Sequence, residues 1–211
     1  NMAGLAIVDD EAVRDAAKME IVRRYFQAAV DARRTGLHEE YVERLELLMN
    51  QAGIDASFSP ARSAALLKEE TTGGPAGAMV LPDGRVVTGK TSPLLGAASS
   101  LLMNALKAVA GVDEDIFVIK DEVIEPICAL KTSTLHSKNP RLHSDETLLA
   151  LSVSSATDPV AAQLIEHAGD LRGCDAFFSV ILSEADEKLY RTLGINVCCE
   201  PKYEQRRYYH K

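Results

Sequence analysis

Apolar residues recur at helical spacing along the first third of the chain. Val13, Ala17, Ile21, Tyr25, Ala28 and Ala32 lead up to Gly36, with Arg14, Lys18, Arg23 and Arg34 mostly between them. Asp9 and Asp10 stand where a helix N-cap is expected. A second helix is expected from His38 to Ala52 on the stripe Tyr41, Leu45, Leu48 and Ala52, with Gly53 as a left-handed stop. Ser59-Pro60 then opens a short third helix reaching about Glu70.

The pattern changes at Thr71-Thr72-Gly73-Gly74-Pro75. Ala78 to Leu81 and Arg85 to Thr88 flank Asp83-Gly84, which supplies the positive φ of a tight turn, so a β-hairpin is predicted. Ser92-Pro93 is expected to open a long apolar helix ending near Gly111. The runs Asp115 to Lys120, Ala176 to Leu182 and Ile195 to Cys199 read as strands. Thr132 to Asp145 reads as a polar loop, Glu146 to His167 as helical, and Glu184 to Leu193 as a shorter helix. Strands alternating with helices predict an α/β fold. The expected organisation is a small three-helix subdomain over 1–72, followed by a three-layer α/β domain with a mixed sheet over 73–211.

Composition adds bounds. The 211 residues are 46% hydrophobic with no Trp, so the core must rest on aliphatic side chains. A net charge of −8 argues against nonspecific nucleic-acid binding, which depends on phosphate neutralisation by Lys and Arg. Cys128, Cys174, Cys198 and Cys199 form no Cys-x-x-Cys pair, and read as buried reduced thiols. With no apolar stretch of spanning length and no signal peptide in view, a cytoplasmic protein with no membrane contact is expected. Asn1 precedes Met2, and Met2 to Val8 reads like the middle of a domain, so a fragment is expected.

Longer stretches carry a resemblance. They are Gly73-Gly74-Pro75, the run Leu81 to Ser92, Ser137 to His143, Leu193 to Asn196, Cys199-Glu200-Pro201 and Tyr209-His210-Lys211. Together they closely resemble the C-terminal part of the bacterial "domain of unknown function 1846" family. The resemblance implies that whole members are much longer and that an N-terminal half, with its own glycine-rich Gly-Lys segment, is absent here. It implies no assigned enzymatic activity, and a C-terminal part arranged like the cytidine-deaminase fold. The deaminase zinc signature is missing: the Ser92 helix start has no His-x-Glu, and there is no Pro-Cys-x-x-Cys.

Three stretches carry candidate chemistry. Gly84 to Thr91 matches the phosphate-loop pattern Gly-x-x-x-x-Gly-Lys-[Ser/Thr]. Its centre, Val86-Val87, prefers a strand, so a hairpin that happens to fit the pattern is the favoured reading. Lys90, Thr91 and Ser92 precede the expected helix, where free amides and the helix dipole can hold an anion; Ser92 as a plain N-cap is the alternative. His136, Ser137, Lys138, Asn139, Pro140, Arg141, Leu142 and His143 cluster acid–base and cationic groups. His136 and His143 are the candidate proton-transfer groups, and Lys138, Asn139 and Arg141 the candidate anion ligands. An exposed connection before a capped helix is the plainer alternative, and no metal site is expected. The basic aromatic tail Tyr203 to Lys211 reads as an edge strand or docking arm.

The leading expectation is thus an α/β domain that binds a small anionic ligand, a phosphorylated metabolite or nucleotide, together with its own N-terminal half. No cofactor is specified, and a homo-oligomer is expected. The alternatives are a structural or oligomerisation module, and an NTPase using Gly84 to Thr91. Whether the chain is an enzyme stays open at this point.

Overall fold

The computed structural model describes residues 9–204. The opening stretch through Val8 and the tail beyond Glu204 lie outside the described residues. The chain divides into two units, residues 1–60 and 61–211.

In the first unit, α1 (Asp10–Thr35) packs on α2 (Glu39–Gln51). Asp9 caps α1 as expected: its carboxylate accepts from Glu11 N at 3.1 Å and Ala12 N at 2.9 Å. Gly36, at φ +70°, ends the helix with its N–H on the Ala32 carbonyl. The seam differs from the expected stripes. Val22, Phe26, Ala29, Leu45 and Met49 are buried, whereas Val13, Tyr41 and Leu48 are exposed. These helices carry more than one apolar row, so periodicity alone left the buried row undetermined.

The second unit opens with α3 (Pro60–Thr72) and the hairpin β1 (Ala76–Val80) and β2 (Val86–Lys90). Then come α4 (Ala97–Ala110), α5 (Asp121–Ala129), α6 (Ser144–Ser154), α7 (Pro159–Glu166), β3 (Asp175–Phe178), α8 (Glu184–Thr192) and β4 (Asn196–Cys199). The sheet runs β2-β1-β3-β4; β1 is antiparallel to β2 and β3, and β3 is parallel to β4. The fold is therefore α/β with a mixed four-stranded sheet. Parallel β3 and β4 are joined through α8, as a crossover requires.

Helix α4 lies on the hairpin because two glycines face each other there. Gly77 pairs with Gly89 in register. A Cβ on Gly89 would stand 2.2 Å from Leu101 N and 2.4 Å from Leu101 Cα. The contact of helix on sheet here is backbone on backbone. Leu101, Leu102, Ala105 and Leu106 then fill the core beneath. Phe178 and Tyr190 complete it in an edge-on contact with ring centroids 5.3 Å apart. The buried Tyr190 hydroxyl donates to Ala98 O at 2.8 Å. Tyr190→Phe is expected to lower stability by about 1 kcal/mol, the usual net worth of one buried hydrogen bond. Urea denaturation at constant pH measures it, and a loss below about 0.3 kcal/mol would show that bond to be unimportant.

Two local expectations are corrected. Asp115 to Lys120 is no strand. The four-stranded sheet is built from β2, β1, β3 and β4 without it. Val118 and Ile119 are buried without a strand partner, and Phe117 is 90% exposed. The long helix starts at Ala97 and not at Ser92. The Ser92 hydroxyl accepts from Leu94 N and Leu95 N, closing a turn across Pro93. Leu95 then forms a short parallel bridge with Leu142. Helix α5 was not anticipated; Pro126 inside it breaks the usual helical signature.

Candidate functional site

The Leu95–Leu142 bridge gives the site its shape. Leu142 N donates to Leu94 O at 2.8 Å, Gly96 N donates to Leu142 O, and Ser99 Oγ donates to the same carbonyl at 2.7 Å. These bonds hold the stretch Arg141 to His143 against the start of α4. The first turn of α4 has no side-chain cap. Among the described residues, the N–H groups of Ala97 and Ala98 have no acceptor. Gly96, Ala97 and Ala98 line a cleft of about 330 Å³ with Thr91, Asn139, Arg141 and His143. Ser183 and Asp186 close its far wall, with apolar cover from Val180, Ile181 and Leu182.

Asp186 is the hub of that wall. It is 7% exposed and accepts four hydrogen bonds. Ser144 N and Oγ donate to its Oδ1 at 2.8 and 2.7 Å. His143 Nδ1, at 3.0 Å, and Ser183 Oγ, at 2.6 Å, donate to its Oδ2. Burial opposes its ionisation, but the bonds from His143, Ser183 and Ser144 outweigh it and hold the carboxyl below its ordinary range. Conversely, the Asp186 bond raises the His143 pKa, against the opposing effect of burial. A proton fixed on Nδ1 by Asp186 makes Nε2 the titrating position, and Nε2 has no hydrogen-bond partner among the described residues. A carboxylate orienting a half-exposed histidine in a cleft is the arrangement used for general acid–base work. Ser183 is engaged on the same carboxylate. Its hydroxyl proton is committed to Asp186, and its oxygen caps α8 by accepting from Asp186 N.

The loop is braced from behind. Buried Lys131, on a π-helical turn over Leu130–Thr134, donates to Arg141 O at 2.6 Å and to Glu146 Oε2 at 2.6 Å. That same Glu146 oxygen accepts from His143 N at 2.8 Å. Arg141 in turn pairs with Glu204 at 3.0 Å.

The structure thus brings together some of the sequence candidates and separates others. Thr91, Asn139, Arg141 and His143 share the cleft. Lys90 and Ser92 line a different groove, of about 430 Å³, because side chains alternate where β2 ends. His136 and Lys138 are exposed and line neither cavity. The Gly84–Thr91 match is a hairpin: Gly84 sits in the turn at φ +84°, and Val86–Lys90 pairs with β1 in register. Amides committed to a sheet cannot wrap a phosphate. Asp186 and Ser183 were missed. Ser183-Glu-Ala-Asp186 is a helix-start signature, but nothing local links it to His143, 40 or more residues away.

The cysteines are free thiols; Cys174, Cys198 and Cys199 are buried and Cys128 is half-buried. Burial raises the Cys128 and Cys174 pKa values, which disfavours their thiolates. Among the described residues no helix is long and apolar enough to cross a membrane, and no three His, Cys, Asp or Glu side chains are grouped to hold a metal.

Fold and cleft together define an α/β protein with a histidine–carboxylate pair at the uncapped start of a core helix. Sequence comparison supplies the family. Residues 57–209 match the model "Domain of unknown function DUF1846, C-terminal", and residues 1–53 match its N-terminal counterpart. The chain belongs to the DUF1846 family, and α1 and α2 fall within the stretch matched by the N-terminal model. It is 48% identical over 211 residues to a UPF0371 protein of Corynebacterium efficiens, covering 100% of this chain and 43% of that protein. Identity is 47% with the Corynebacterium diphtheriae protein, covering all of this chain and 42% of the relative. It is 44% with that of Streptococcus thermophilus, again over the whole chain and 43% of the relative. The chain thus spans less than half the length of these relatives.

Proposed function

We propose that the second unit binds a small anionic metabolite, phosphorylated or carboxylated, in the cleft beside His143, and that His143 exchanges a proton with it. One observation carries this reading: the His143–Asp186 pair and the uncapped amides of α4 open onto the same cleft. The helix start favours negative charge, and the Thr91 hydroxyl and Asn139 amide are at hand to orient it. An imidazole poised by a buried carboxylate is suited to take or give a proton next to the bound anion. The relatives are more than twice as long as this chain, so the remainder of such a protein is the proposed partner that completes the ligand site.

Inorganic phosphate and malonate serve as probes, followed through the His143 ring signals in NMR. Saturable binding should move those signals and raise the His143 pKa further, because an anion favours imidazolium. His143→Gln should weaken phosphate binding roughly tenfold, the worth of one charge-assisted hydrogen bond. Phosphate that binds without disturbing His143, or that binds neither this chain nor a full-length relative, would remove the proposal.

A further inference from the structure

The groove that takes Lys90 holds a second, more deeply placed amine. Its walls include Leu95, Met103, Phe117, Ile119 and Ile124, and Lys107 of α4 lines it while only 9% exposed. Among the described residues two lysines are buried, Lys107 and Lys131. Their partners differ in kind. Lys131 is paired with a carboxylate, Glu146, at 2.6 Å. Lys107 donates to a backbone carbonyl, Glu114 O, at 2.8 Å, and no carboxylate lies within ion-pair distance of it among the described residues. A carbonyl oxygen can accept from an amine as well as from an ammonium, and unlike a carboxylate it carries no net charge that would demand the ammonium form. It therefore leaves a neutral Lys107 able to donate one N–H and keep its lone pair. Burial shifts Lys107 toward that neutral form, against weaker opposing pulls from Glu114, Asp115 and Asp113; Lys90 and Asp121 are the other charged groups along the groove.

We propose that Lys107 is a reactive amine that condenses with a small aldehyde or ketone whose apolar substituent lodges in this groove. The Nζ lone pair attacks the carbonyl carbon, the C=O π electrons move to oxygen, and nitrogen gives up one proton as that oxygen gains one. The resulting carbinolamine loses its hydroxyl group together with the remaining nitrogen proton as water, leaving an imine between Nζ and the former carbonyl carbon; one water is released and nothing is oxidised or reduced. Desolvated lysines beside apolar walls are the ones suited to this chemistry near neutral pH. The proposal does not depend on the His143 cleft.

The test labels the unmodified protein with limiting octanal and cyanoborohydride at pH 7, then maps modified lysines by peptide mass spectrometry. Lys107 should be labelled at least tenfold faster than the exposed Lys138 and Lys188. Formaldehyde, which has no apolar substituent, should narrow that preference. Phe117→Ser, at a position exposed enough to spare the fold, should cut the octanal preference several-fold. Labelling of Lys107 no faster than of Lys138 overturns the proposal. A preference untouched by Phe117→Ser overturns its assignment of an apolar ligand.

Discussion

Alanine at position 89 is expected to abolish the folded state of the α/β unit. The added Cβ would lie 2.2 Å from Leu101 N, 2.4 Å from Leu101 Cα and 2.8 Å from the Ser100 carbonyl carbon. All three are backbone atoms of α4, so no rotamer change can relieve the overlap. Either the helix lifts from β2, exposing Leu101, Leu102 and Leu106, or the hairpin shears out of register. Overpacking of this kind exceeds about 3 kcal/mol, a large share of the stability of an ordinary domain. Gly96→Ala is the control: its Cβ would meet a single atom, Leu142 O, at 3.7 Å, and the expected loss is about 1 kcal/mol or less. Circular dichroism and thermal melting separate the two. A cooperative Gly89→Ala transition within a few degrees of wild type would mean that α4 does not rest on the hairpin as described.

Removing the Asp186 carboxylate is the second large effect. Asp186→Ala leaves the Ser144 N–H and the Ser144, Ser183 and His143 donors without their acceptor in a buried site. The expected loss is about 3–5 kcal/mol, since it breaks a buried, charge-assisted network from one side. Asp186→Asn should fall between, and should return the His143 pKa toward its ordinary value. The pH dependence follows from the two shifts. The lowered Asp186 pKa stabilises the fold above the ordinary carboxyl range, and that contribution is lost as pH falls through its folded value. The raised His143 pKa stabilises the fold below the ordinary histidine value, and that contribution is lost as pH rises through its folded value. The stability gap between wild type and Asp186→Ala should therefore be widest at roughly pH 4 to 6.5 and narrow on both sides. Urea denaturation across pH measures it; a gap that is flat with pH would show that the two groups do not titrate as a pair.

Elements whose signal is local were legible in the chain. Asp83-Gly84 announced the hairpin, Asp9 the start of α1 and Gly36 its end. The strands at β3 and β4 followed from short apolar runs. The failures have one origin. Ile116 to Ile119 is as apolar as a strand, but Val118 and Ile119 are buried without joining the sheet, which is completed by β3 and β4 from much later in the chain. Ser92-Pro93 is a sound helix start, but pairing of Leu95 with Leu142 drew the intervening residues out of the helix. The same dependence governed the site. His143 and Arg141 stood out as a cluster of charges in one loop. Asp186, the group that gives His143 its orientation and raises its pKa, carried only a helix-cap signature.

The sequence by itself determined the chemistry available and the short-range geometry: which residues can turn, cap or titrate, and where chain direction reverses. Backbone sterics and hydrogen bonds within a few residues set those features, so neighbours in sequence suffice to read them. Only the tertiary structure decided which strand fills which edge, which lysine faces which cavity, and which carboxylate meets the histidine. Those choices rest on burial and on competition for hydrogen-bond partners among segments far apart in the chain, and a partner's identity is not encoded beside the group it completes.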